Sequence, residues 1–191
     1  MKMSFTRWIP TFLSFPLGGL VALLVVGSVD GPATAALGGL LAGAVIGTAQ
    51  WLALRSRGVG LRWAVSTALA MAAGSGVASM VTDAGTTVSS LVVSGLVSGA
   101  AVGAAQGVVL ARGRRIAAVW AAIVSLTWGL GWLVSANVLV DPDRGYFTFG
   151  SSGAILATLL TGVVVRWILV QHRGPSPTSV PMAQPVTAAH R

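Results

Sequence analysis

Cysteine and glutamate are absent from the 191 residues, histidine occurs only twice, and charged residues make up 8% of the chain. The lack of cysteine removes disulfides, thiol catalysis and Cys-ligated zinc or iron–sulfur sites. With no Glu, and with His172 and His190 both near the C-terminal end, a Ser-His nucleophile or a His-based metal site has nothing to be built from. Asp141 and Asp143 are neighbours on one short connection, the pattern of a solvated turn rather than of an aspartyl pair. No catalytic residue, metal site or cofactor is therefore expected, and the chain reads as a non-enzyme. So few charges also cannot clothe a globule in water, where an ordinary soluble domain carries roughly 25%.

What is present is apolar length. Hydrophobic residues make up 54% of the chain, and they fall in six runs, about 10–29, 33–54, 61–82, 87–111, 116–140 and 148–170. Each is near the twenty residues that cross roughly 30 Å of hydrocarbon. Gly and β-branched residues inside the runs would disfavour helix in water. In lipid the backbone must satisfy its own hydrogen bonds, so helix prevails, and the period-two alternation of a membrane β-barrel is missing. The expected fold is an all-α polytopic membrane bundle of about six helices over residues 1–173, followed by a Pro-rich disordered cytoplasmic tail over 174–191.

The charges assign the sides. Lys2, Arg7, Arg55, Arg57, Arg62, Arg112, Arg114, Arg115, Arg166, Arg173 and Arg191 share one side of a six-span chain, and only Arg144 falls on the other. Eleven of the 12 basic residues thus mark the cytoplasmic side of a bacterial plasma membrane, with both termini inside. Asp30, Asp83, Asp141 and Asp143 all lie opposite. The net charge of +8 comes from these short clusters, not from a basic face with polar or aromatic readers, so nucleic acid is not an expected partner. A rival reading takes the first run as a signal peptide, with Lys2 and Arg7 before it and Ala33-Thr34-Ala35 as a cleavage site. The seven Trp residues stand mostly near run ends and read as interfacial belts.

Residues 39–54 and 95–110 match at 8 of 16 positions, and two of the chain's four Gln fall in the match. Gly39, Gly43 and Gly47 recur every four residues, with Gln50 continuing the stripe; Gly95, Gly99, Gly103 and Gln106 do the same in the copy. Such faces let helices approach closely in lipid. Gly153, Ala157 and Thr161 form a weaker version in the last run. The following runs match too, Trp63 and Gly74 with Trp120 and Gly131, so the unit is a helical hairpin, about 39–81 and 95–138, in two copies of the same orientation. The last and first runs would supply a third, degenerate hairpin if the bundle closes.

The pattern G-x-x-x-G-x-x-Q-W-x-x-L-R, here Gly43 to Arg55, resembles a group of uncharacterised small Gly-rich bacterial multi-pass membrane proteins with repeated GxxxGxxQW helices. The resemblance covers mainly 39–64 and 95–120, departs at Gly107 where Trp would stand, and implies membrane architecture alone.

Gln50, Gln106 and Asn137 are the candidate polar contacts. Each Gln lies about one turn from a cytoplasmic Arg, away from the midplane where transporters usually bind substrate. Two readings stay open for them, an interhelical hydrogen bond between the repeats or a contact on a substrate or proton path. The lipid bilayer is the expected partner, with another membrane protein or a second copy as further candidates. The expected function is a non-enzymatic membrane scaffold or accessory subunit. The alternative is a small transporter or substrate-capture component, since the chain resembles, in size and span count only, the membrane-embedded vitamin-binding components of energy-coupling uptake systems.

Overall fold

The computed structural model describes residues 5–138 and 150–171. Asp141, Asp143, Arg144 and the 174–191 tail lie outside the described residues. The chain forms α1 (Phe5–Trp8), a 3-10 segment (Ile9–Leu13), α2 (Ser14–Val26), α3 (Pro32–Leu54), α4 (Arg62–Thr82), α5 (Val88–Leu110), α6 (Arg114–Val138) and α7 (Ser151–Gln171). Six stretches are long and apolar enough to cross a membrane, Ile9–Val26, Pro32–Arg57, Arg62–Thr82, Val88–Leu110, Arg114–Asn137 and Ser151–Val170. The protein is a membrane-type helical bundle, and no strand occurs among the described residues.

The helix ends follow from local chemistry. Pro32, which has no N–H to leave unsatisfied, opens α3, and Thr34 Oγ1 donates to Asp30 Oδ1 at 2.6 Å while accepting from the Gly31 amide. Thr87 caps α5 by accepting from the Ser90 amide. α4 and α5 end on left-handed residues, Asp83 and Ala111.

The first span departs from the single helix expected over 10–29. Pro10 lies in the 3-10 segment and Pro16 in the first turn of α2, and each removes one helical donor. Two hydroxyls take up nearby carbonyls: Thr11 Oγ1 donates to the Trp8 oxygen at 2.7 Å, and Ser14 Oγ to the Thr11 oxygen at 2.5 Å.

Consecutive helices pack side by side from α2 to α7, and α7 returns to the 3-10 segment, so the bundle closes. Trp8 seals this joint, donating its indole N–H to the Thr158 carbonyl at 2.9 Å. Phe15 of α2 meets the Trp128 ring edge-on, with centroids 5.7 Å apart.

In lipid no water is expelled when helices meet, so contact itself must hold them. The glycine faces supply it. A Cβ on Gly39 would stand 2.7 Å from the Met71 oxygen, on Gly43 2.9 Å from Ala68 Cα, and on Gly47 2.8 Å from the Ala64 oxygen. Ascending α3 thus meets descending α4 backbone to backbone. Gly95, Gly99 and Gly103 meet Trp128, Val124 and Ala121 of α6 at 2.7–2.8 Å in the same way. Gly107, outside the expected stripe, extends it to Ala117 at 2.8 Å. Gly153 presses on the Gly131 carbonyl of α6. Large apolar residues such as Leu24, Leu69, Met80, Val108 and Val163 point outward, where lipid solvates them.

These distances predict that even one methyl is too much. Gly43→Ala and Gly99→Ala should each destabilise the bundle by about 1–3 kcal/mol, the usual cost of overpacking. Gly60→Ala, with nothing within 4 Å, should be neutral in the same thermal unfolding measurement in detergent.

Candidate functional site

Two polar features lie at opposite ends of α3, α4 and α5. The first is a clamp at the arginine-bearing end. Gln50 sits four residues before the end of α3 and Gln106 four before the end of α5, about one turn inside the bundle. Trp63 opens the first full turn of α4, and Trp120 lies in the second turn of α6. All four side chains are buried.

An indole N–H can only donate, so each facing amide must offer its oxygen. Trp63 Nε1 donates to Gln50 Oε1 and Trp120 Nε1 to Gln106 Oε1, both at 3.1 Å. That choice leaves the Gln106 amide nitrogen to donate, and it does so twice, to Gln50 Oε1 at 3.0 Å and Thr67 Oγ1 at 2.9 Å. Thr67 passes its own proton to the Trp63 carbonyl at 2.7 Å. The two indoles lie 6.2 Å apart, tilted at 51°. One network therefore ties α3, α4, α5 and α6 together, and it holds no ionisable group.

The second feature is a cavity at the other end, open at its mouth. α4 contributes Ser75, Ser79 and Thr82, α5 contributes Ser94 and Ser98, and Thr86 comes from the α4–α5 connection. Val29, Ala35, Ala78, Leu91 and Trp132 supply apolar wall. Along α5, Ser94, Ser98, Val102 and Gln106 follow one another at four-residue spacing, and along α4 so do Ser75, Met71 and Thr67. Buried Met71 and Val102 thus stand between the cavity and the clamp.

The hydroxyls differ in what they have left to offer. Thr82 Oγ1 donates to the Ala78 carbonyl at 2.9 Å and Ser98 Oγ to the Ser94 carbonyl at 2.6 Å. Ser79 is 6% exposed, and its Oγ has no hydrogen-bond partner among the described residues.

The structure thus brings Gln50 and Gln106 together and sets every sequence-derived glycine at a helix contact. Asn137 does not belong to either feature: its side chain is exposed and donates to the Leu133 carbonyl of its own helix at 2.7 Å. The interfacial-belt reading also fails for Trp8, Trp63, Trp120, Trp128 and Trp132, which are buried, while Trp167 stays exposed. The physical reason is that an indole N–H can be satisfied inside a bundle when an amide or a carbonyl faces it. A signal for this was present in the sequence, in the face that Trp63 and Trp120 share with Gly74 and Gly131. The cavity left no such signal, because its six hydroxyls come from two helices and a connection.

Comparison with known proteins finds no family model, no curated protein and no solved structure that matches the chain.

Because Gln106 makes three clamp bonds and Gln50 two, Gln106→Leu should cost more than Gln50→Leu. At roughly 0.6 kcal/mol per bond in a membrane bundle, the losses are about 2 and about 1 kcal/mol. A double-mutant cycle in detergent should return a coupling between them; strict additivity would show that the Gln–Gln bond contributes nothing.

Proposed function

We propose that this protein is a non-enzymatic multi-pass protein of the bacterial plasma membrane, with both termini cytoplasmic, that captures a small solute from the outer side. One observation carries the reading: a hydroxyl-lined cavity opens at one end of a bundle whose other end is closed by a buried polar clamp. The arginines Arg55, Arg57, Arg62, Arg112, Arg114 and Arg115 flank the clamp, and by the positive-inside rule that end faces the cytoplasm. The cavity then faces outward, on the side of Asp30 and Asp83.

A closed inner end suits capture better than conduction. A path onward would have to pass Met71 and Val102 and then break the hydrogen bonds among Gln50, Gln106, Trp63, Trp120 and Thr67. The cavity lining holds no ionisable side chain that could activate its hydroxyls, which is in keeping with binding rather than chemistry.

A scaffold or accessory role is the second reading. Its motive was the supply of small-residue faces, and these are taken up inside the chain, α3 on α4, α5 on α6 and Gly153 on α6. A partner would have to dock on the Leu- and Val-rich outer surface, which lipid already suits.

Single-cysteine labelling in intact cells tests both orientation and access, on a background free of native cysteine. Ser89→Cys, on the exposed start of α5, and Ser94→Cys, inside the cavity, should react with an impermeant thiol reagent, while Ser56→Cys should resist until the cells are opened. The reverse pattern inverts the topology. Reaction at position 89 without reaction at 94 removes the open mouth and with it the capture reading.

A further inference from the structure

We propose that the outward cavity recognises a small uncharged polyhydroxylated molecule, of polyol or monosaccharide size; this rests on the capture reading and names its ligand class. The argument starts from hydrogen-bond direction. A hydroxyl offers one donor and two acceptor sites. Thr82 and Ser98 have already given their protons to helix carbonyls, so they can only accept from a ligand. Ser79 Oγ has no hydrogen-bond partner among the described residues, so it can still donate and accept, and Ser75, Thr86 and Ser94 add further hydroxyls to the lining. A ligand that satisfies this set must itself carry several groups that do both, as hydroxyls do.

Charge narrows the class. None of the lining residues is ionisable. Asp83, beside the lining residue Ala84, is exposed and caps α4 rather than facing the cavity wall. A cation or an anion entering would give up hydration with no counter-charge in return. A hydrocarbon ligand fails for the opposite reason, since it would leave Ser79 and its neighbours unpaired.

The walls complete the match. Val29, Leu91 and the Trp132 indole offer apolar surface opposite the hydroxyls, which suits a molecule with C–H faces and O–H edges. About 70 Å³ of the cavity can be reached by the centre of a water-sized molecule, and one water needs roughly 10–15 Å³, so there is room for several hydroxyl-sized groups below the open mouth.

Ser79 provides the sharpest test because its fold and binding roles have opposite signs. Buried without a partner, its hydroxyl weakens the free protein, so Ser79→Ala should leave the melting temperature unchanged or slightly raised. The same change should weaken ligand binding roughly three- to tenfold, the value of one hydrogen bond. Ser94→Leu, which fills the cavity from the other wall, should abolish binding.

The experiment is thermal unfolding of the full chain in detergent, titrated with erythritol, myo-inositol and glucose, and in parallel with choline, acetate and cyclohexanol. The expected result is a saturable rise with at least one polyol, reduced by Ser79→Ala and absent in Ser94→Leu. A non-saturating rise shared by all three proteins is general exclusion from the surface and overturns the proposal. Saturation by choline, acetate or cyclohexanol instead, blocked by Ser94→Leu, overturns the ligand class while the capture reading stands. No saturation by any probe overturns the proposal, and the reactivity of Ser94→Cys from outside then decides whether the capture reading falls with it.

Discussion

Backbone-to-backbone approach between paired helices is the constraint on which this bundle depends. Lipid gives two helices no reason to meet beyond the contacts they make. Here the contacts are made where side chains are missing: Gly39, Gly43 and Gly47 against α4, and Gly95, Gly99, Gly103 and Gly107 against α6. Close approach at these points brings Gln50 within reach of Trp63 and Gln106 within reach of Trp120. The amide–indole bonds are thus a consequence of the glycine faces, and they fix the rotation of each helix that the flat faces alone would leave free.

The same constraint explains where space remains. α4 and α5 belong to different hairpins, and their close contact is Gly74 on Ser98, where a Cβ on the glycine would stand 2.8 Å from Ser98 Cα. Beyond that point the remaining glycines turn elsewhere, Gly76 toward Ala36 of α3 and Gly95 toward Trp128 of α6. Nothing then draws α4 and α5 together on the way to their connection, and the cavity occupies the gap. Its polar lining follows from helical spacing, since Ser94 and Ser98 stand two turns and one turn before Val102 on one face of α5.

Much of the architecture was legible in the sequence because apolar span length and the spacing of rare residues are local signals. The span limits differ from the expected runs by a few residues, and the Gln pair stood out as rare polar residues on a glycine stripe. The indoles were harder. A Trp near the end of a span looks the same in sequence whether it points to the headgroups or into the bundle, and the difference is one of rotation about the helix axis. That rotation is set by neighbours on other helices, Gln50 for Trp63 and Gln106 for Trp120. The broken first span was visible in Pro10 and Pro16 taken singly. Its closure on α7 was not, because Trp8 finds a backbone carbonyl at Thr158, 150 residues away, and a carbonyl carries no sequence signature.

The polar groups of α4 and α5 divide into two populations that the bilayer treats alike and the protein does not. At the arginine-bearing end, Gln106 places both amide hydrogens and its oxygen, and Thr67 both accepts and donates. A buried polar network gains in lipid from every group it satisfies, and in this one the Gln106 amide, both indole N–H groups and the Thr67 hydroxyl all have partners. At the opposite end, a serine as buried as Ser79 is left with no partner among the described residues, beside hydroxyls that have committed at most their protons. Alanine at such a position would carry no desolvation cost, and what sets Ser79 apart from Thr158, the other unpartnered buried hydroxyl among the described residues, is that it lines the cavity. In the capture reading proposed above, its partner comes from the aqueous side, through the cavity mouth where α4 and α5 draw apart.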